Sequence, residues 1–118
     1  MRPLDTISNS IYIEFVSGRY NITYPTTLVL HAIAAGARYG FDIADRTGLR
    51  TGTVYPALRR LDGLGFVRSS WEHEKTARRE QRPARRYYDI TPAGSAALET
   101  ALKRFANLGR LTPRARNA

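Results

Sequence analysis

Residues 47–65 read TGLRTGTVYPALRRLDGLG. Val54, Leu58, Leu61 and Leu64 recur at i, i+4, i+7 and i+10, a single apolar stripe at helical period. Gly65 ends the helix. Pro56 lies inside it, where a proline removes one backbone hydrogen bond and crowds the carbonyl four residues back. That carbonyl belongs to Gly52, which has no side chain to resist adjustment. A kink is therefore expected, tilting the first turn while the leucines hold the second half on a core. Thr53, Tyr55, Pro56, Arg59 and Arg60 then point partly or wholly outward. No acid stands between Asp45 and Asp62 to neutralise Arg50, Arg59 and Arg60.

Upstream, RYGFDIADRTG (38–48) reads as a short helix with Phe41, Ile43 and Ala44 on its buried side and Gly48 as its stop. Before it, Pro25 opens a helix, since proline suits the first helical position. Leu28, Leu30, His31, Ile33 and Ala34 continue it and Gly36 stops it. Nearly every face is apolar, so it should lie deep, and His31 reads as a core or interface histidine. Residues 1–24 read two ways. Ile7, Ile11 and Phe15 fit a helical stripe, and Ile11, Ile13 and Phe15 fit strand alternation.

Downstream, FVRSSWEHE (66–74) and RRYYDIT (85–91) read as two strands, rich in aromatic and β-branched residues. KTARREQRPA (75–84) between them is polar and basic, and reads as a long hairpin loop. Thr91 and Pro92 mark a last helix, threonine as cap and proline first. Its apolar stripe is Leu98, Ala101, Leu102, Phe105 and Leu108. The order helix, helix, helix, strand, strand, helix is that of a winged helix-turn-helix domain, a mainly α fold with a small β part (α+β). The expected organisation is an N-terminal extension over 1–24, serving as a dimer arm, and a DNA-binding domain over 25–91. A C-terminal dimerisation helix over 92–111 and a basic tail over 112–118 complete it.

The totals agree. The chain has 118 residues, enough for one domain of modest core. Its formal net charge is +9, from 17 arginines and 2 lysines against ten acids. Between Arg38 and Arg86 twelve cations face six acids. A clustered positive field favours polyanions. Arginine in particular binds phosphate and guanine edges bidentately. The absence of cysteine removes disulfides and thiol chemistry. No signal peptide or membrane span is readable, so the expectation is a cytoplasmic protein, nucleoid-associated when bound to DNA.

In a helix-turn-helix the second helix enters the major groove, its first residues reaching base edges. The expected recognition residues are Arg50, Thr51, Thr53, Tyr55, Pro56, Arg59 and Arg60. From the second helix and the wing, Arg38, Tyr39, Arg78, Arg79, Arg82, Arg85 and Arg86 join them, on backbone or in a minor groove. The same spacing also suits a core tyrosine and solvated arginines. The last helix carries more apolar surface than a small three-helix domain covers, so Leu98, Ala101, Leu102, Phe105 and Leu108 are expected at a dimer interface. Glu72, His73 and Glu74 are adjacent and cannot share one site on a strand. No nucleophile and base are paired. An enzyme, a metal site and a cofactor are not expected.

GTVYPALRRLDGLGFV (52–67), SSWEHE (69–74) and RPARRYYDITPAG (82–94) together resemble the PadR family of transcriptional regulators. RYGFDI (38–43) matches that family's opening of helix two. The resemblance covers roughly residues 28–108. It implies a homodimeric winged-helix repressor of the shorter subclass, with one C-terminal helix and a small-molecule effector. Thr53, Tyr55, Pro56 and Arg60 match the family's recognition helix. Pro83, Arg85, Arg86, Tyr87 and Tyr88 match its wing. The resemblance also implies an effector pocket among aromatics of the dimer interface, here Tyr12, Phe15, His31, Trp71 and Phe105.

Three departures stand out. Arg50 replaces a frequent capping serine, which moves the expected cap to Thr51. Gly94 stands where a capping box after Thr91 wants glutamate. The wing is also longer than usual. The leading reading is a sequence-specific repressor acting as a homodimer on a pseudo-palindromic operator. An RNA-binding or protein-interaction module on the same fold is the alternative.

Overall fold

A computed structural model of the chain describes residues 22–111, with backbone alone for 108–111. The expected extension is thereby outside the described residues except for Ile22, Thr23 and Tyr24, and the tail 112–118 lies outside them too. Seven elements follow in order: α1 (Tyr24–Ala34), α2 (Gly40–Thr47), α3 (Thr51–Gly63), β1 (Val67–Trp71), α4 (Glu74–Arg79), β2 (Arg86–Ile90) and α5 (Pro92–Leu111). The architecture is a winged helix, with the three-helix unit packed beside a two-stranded antiparallel ribbon and α5 laid against α1.

Thr23 caps α1, its hydroxyl accepting from the Thr26 N–H at 3.2 Å, and Pro25 sits in the first turn. Thr27 is fully buried and pairs its hydroxyl with the Thr23 carbonyl at 2.8 Å. A buried hydroxyl needs such a partner. Val29, Leu30, Ala32 and Ile33 enter the core. His31 does not: it is exposed, which corrects its reading as a core residue. Buried Leu30 and Ala32 flank it, and each neighbour in a helix turns about 100° from the next.

α2 ends at Gly48, in the left-handed conformation at φ 77°, which glycine adopts without steric cost. Ile43 is buried and Phe41 is 68% exposed, so the expected burial of Phe41 is corrected. Two residues along a helix turn a side chain roughly 200°. Phe41 therefore lies opposite Ile43. α3 buries Val54, Ala57, Leu58 and Leu61, as its stripe requires, and runs through Pro56 to Gly63. Arg50, not Thr51, holds the cap position and makes no side-chain capping bond. The helix start is thus left open.

The ribbon register pairs Val67 with Ile90, Ser69 with Tyr88 and Trp71 with Arg86. A further rung comes from the segment before α2, where the Arg38 carbonyl accepts from the Tyr88 N–H at 2.8 Å. The expected long loop between the strands contains α4. His73 caps it through Nδ1, which accepts from the Lys75 N–H at 3.0 Å, and Ala77 is its one buried residue. Glu74 in the first turn and Arg78 and Arg79 in the last suit the helix dipole.

Thr91 fixes the start of α5. Its hydroxyl donates to the Gly65 carbonyl at 2.7 Å and accepts from the Gly94 N–H at 3.0 Å. Gly94 packs against the backbone of Phe66 so closely that a Cβ would overlap its carbonyl group. The glycine that looked like a weak cap is thus a close-approach position. Leu98 and Ala101 are buried, in the core with α1. This corrects their reading as dimer-interface residues: two of the five stripe residues cover their own domain. Leu102 remains 44% exposed, and Phe105 stacks edge-on against Tyr24 with ring centroids 5.1 Å apart. The side chain of Leu108 lies outside the described residues.

Candidate nucleic-acid interface

The outward face of α3 carries Thr51, Gly52, Thr53, Tyr55, Pro56, Arg59 and Arg60. A Cβ at Gly52 would meet nothing within 4 Å, so the first turn presents bare backbone. Arg50, Arg59 and Arg60 are exposed, and no carboxylate pairs with them among the described residues. Such cations leave their full donor sets free for a polyanion.

Tyr55 is 37% exposed and is seated on Gly40. A Cβ on Gly40 would overlap the Tyr55 ring and hydroxyl. Gly40 at the head of α2 is thus the slot that sets the Tyr55 rotamer. Phe41 meets the other side of Tyr55 edge-on, at 6.3 Å and 89°. Tyr55 is half packing residue and half surface residue, between the two readings of its sequence.

The wing arginines divide by their partners. Arg82 places both terminal nitrogens on the Glu72 carboxylate, at 2.6 and 2.9 Å. Arg82 is therefore turned inward, which corrects its reading as a free wing cation. Glu72 also accepts from the Arg85 N–H and the Tyr87 hydroxyl, each at 3.1 Å. Its side chain is 6% exposed. The Arg82 hydrogen bonds, helped by those of Arg85 and Tyr87 and opposed by burial, hold the Glu72 carboxyl down at about 2.

Arg86 donates to the Ser69 hydroxyl at 2.8 Å and lies 3.8 Å from the Asp62 carboxylate. It also lies over the Trp71 ring at 5.4 Å. Asp62 belongs to the last turn of α3, so Arg86 ties the wing to that helix. Arg85 stacks on Tyr39, its guanidinium carbon 3.9 Å from the ring centre. Tyr39 meets Tyr87 edge-on at 6.0 Å. Arg38 pairs with Asp89 at 3.3 Å, and Arg78 reaches Glu74 at 3.7 Å; both pairs are exposed. Arg79 and Lys75 have no such partner among the described residues.

The expected effector residues are not brought together. Trp71 stands on the wing, Phe105 packs with Tyr24 of α1, and His31 is on the α1 surface. Tyr12 and Phe15 lie outside the described residues. Glu72 and Gly40 were missed as functional positions. The readable signals were an acid at the edge of a basic wing and a glycine that no turn requires.

A model of the PadR-like family of transcriptional regulators matches residues 29–100. The chain belongs to that family. The match spans the winged helix and half of α5, including every element that carries the arginines described above. Solved structures agree in fold. A PadR family transcription regulator from hypervirulent Clostridium difficile R20291 superposes with a TM-score of 0.67 at 23% identity, covering 78% of this chain and 97% of that one. A transcriptional regulator from Clostridium thermocellum gives 0.63 at 23% identity, over 77% and 88%. The transcriptional regulator BldR from Sulfolobus solfataricus gives 0.65 at 20% identity, over 100% and 90%. None of the curated proteins compared matches the chain. Membership in a family of transcriptional regulators implies DNA binding. Among the described residues no helix is long and apolar enough to cross a membrane.

Proposed function

We propose that this PadR-like chain is a homodimeric repressor that reads a pseudo-palindromic operator. α3 lies in the major groove. Tyr55, Arg59 and Arg60 face bases or phosphates, and Arg50 and the backbone of Gly52 address a phosphate at the helix start. The wing, with Arg78, Arg79, Arg85 and Arg86, lies on the adjacent backbone or minor groove. Arg38 and Tyr39 brace it. The observation that carries this reading is the pair Arg59 and Arg60, unneutralised on the open face of a helix-turn-helix recognition helix. The repressor sign rests on the family resemblance.

The dimer reading is supported by the open side of α1 and α5, where Tyr24 is 55% and Leu102 44% exposed. Two-fold pairing there sets two α3 helices on successive major grooves, with half-sites about 10 bp apart. Binding of the purified protein to a duplex spanning its own promoter, against random duplex and RNA, tests the proposal. Preference for the promoter duplex that survives about 200 mM salt, with a two-fold symmetric footprint, is expected. Equal binding to every polyanion would overturn it and favour a general RNA-binding or acidic-partner module.

A further inference from the structure

The outward face of α3 is short of hydrogen-bonding variety. Between Arg50 and Asp62 it has no asparagine, glutamine, aspartate or glutamate. It therefore lacks the amides that grip adenine with two hydrogen bonds and the carboxylates that accept from cytosine N4. The hydroxyls of Thr51 and Thr53 bond to more than one base, and Arg59 and Arg60 suit guanine. The rest of the open surface is apolar. Tyr55 and Pro56 are exposed on α3, and Phe41 beside them at the head of α2 is 68% exposed.

A single exposed apolar side chain needs no explanation. These are joined. Phe41 meets Tyr55 edge-on at 6.3 Å, and Gly40 leaves the space in which the Tyr55 ring is seated. The two rings thus make a corner of set shape. The cations around it, Arg50, Arg59 and Arg60, pair with no carboxylate among the described residues. An apolar corner among unpaired guanidiniums fits a surface that is anionic at its rim and apolar at one point. In the major groove that point is the C5-methyl group of thymine.

We propose that the Phe41–Tyr55 corner reads thymine methyl groups. Phe41, which is not on α3, is then a specificity-determining residue of the DNA contact. The inference rests on the reading that α3 lies in the major groove, and adds to it which bases the half-site must hold.

The test replaces each thymine of the promoter duplex in turn by deoxyuridine, which removes one methyl group and leaves the base pairing intact. Wild type should bind about fourfold more weakly where the lost methyl had been buried in the corner, at the same thymines in both half-sites, and unchanged elsewhere. Phe41→Ala should weaken binding to the unmodified duplex and close most of the difference between thymine and uracil at those positions. Phe41 is so exposed that this substitution leaves the core untouched. Indifference of wild type to every replacement would overturn the proposal, and so would a Phe41→Ala variant that keeps the full difference. The two readings fail separately. Preference for the promoter duplex over random DNA that is blind to the methyl groups overturns the corner and spares α3. No preference for the promoter duplex overturns the reading of α3, and the corner with it.

Discussion

Two glycines decide more than their size implies, and they decide different things. A Cβ at Gly94 meets the Phe66 carbonyl group, which is backbone and cannot swing aside. Gly94→Ala must therefore push α5 away from the ribbon, and overpacking of this kind costs about 1–3 kcal/mol. Urea unfolding of the variant should show that loss. A Cβ at Gly40 meets the Tyr55 ring, the far end of a side chain that can rotate. Gly40→Ala should spare stability more than Gly94→Ala does, and displace Tyr55 from its seat. Equal losses in the two variants would contradict this division. Neither role was legible beforehand. Gly94 was read from its place after Thr91, as a missing glutamate, because a close approach between residues 66 and 94 leaves no mark in local spacing.

Among the elements, the wing is organised by one acid. Glu72 joins Arg82, the Arg85 N–H and Tyr87, holding the far side of the ribbon to its near side. The folded carboxyl sits at about 2, below its ordinary 4.5. A depressed acid contributes stability that is fully present above the ordinary value and is lost as pH falls through the folded one. The wing of wild type should hence loosen between about pH 4.5 and 2, seen as a change in Trp71 emission. Glu72→Gln should be loosened already at neutral pH and lack that acid step. An identical acid profile in the two would remove Glu72 from this role. The partners of Glu72 lie ten to fifteen residues away along the chain, so the sequence did not single it out from Glu74 and Glu80. α4 was hidden for a related reason. Six residues that bury only Ala77 make no stripe. α3 was legible because its four-residue and three-residue steps fall on one face, and that face is the core.

At the scale of the molecule, the arginines sort into those that build and those that remain open. Arg82 is turned into the wing, Arg86 ties the wing to α3 while its side chain stays 44% exposed, and Arg59 and Arg60 pair with no carboxylate among the described residues. The open apolar side chains sort in the same way. Leu98 and Ala101 close the domain, and Leu102 with Tyr24 faces outward. Leu102→Glu should convert a dimer to a monomer by light scattering while the fold persists, because the residue is nearly half exposed. An unchanged dimeric mass would move the interface elsewhere. Whether α3 reads sequence is decided at Arg60. Wild type and Arg60→Ala are titrated against the promoter duplex and a random duplex across a range of salt. The variant should lose about 1–3 kcal/mol on the promoter duplex and much less on random DNA. Equal weakening on both, with a shallower salt slope, would make Arg60 a phosphate contact and contradict base readout by this arginine.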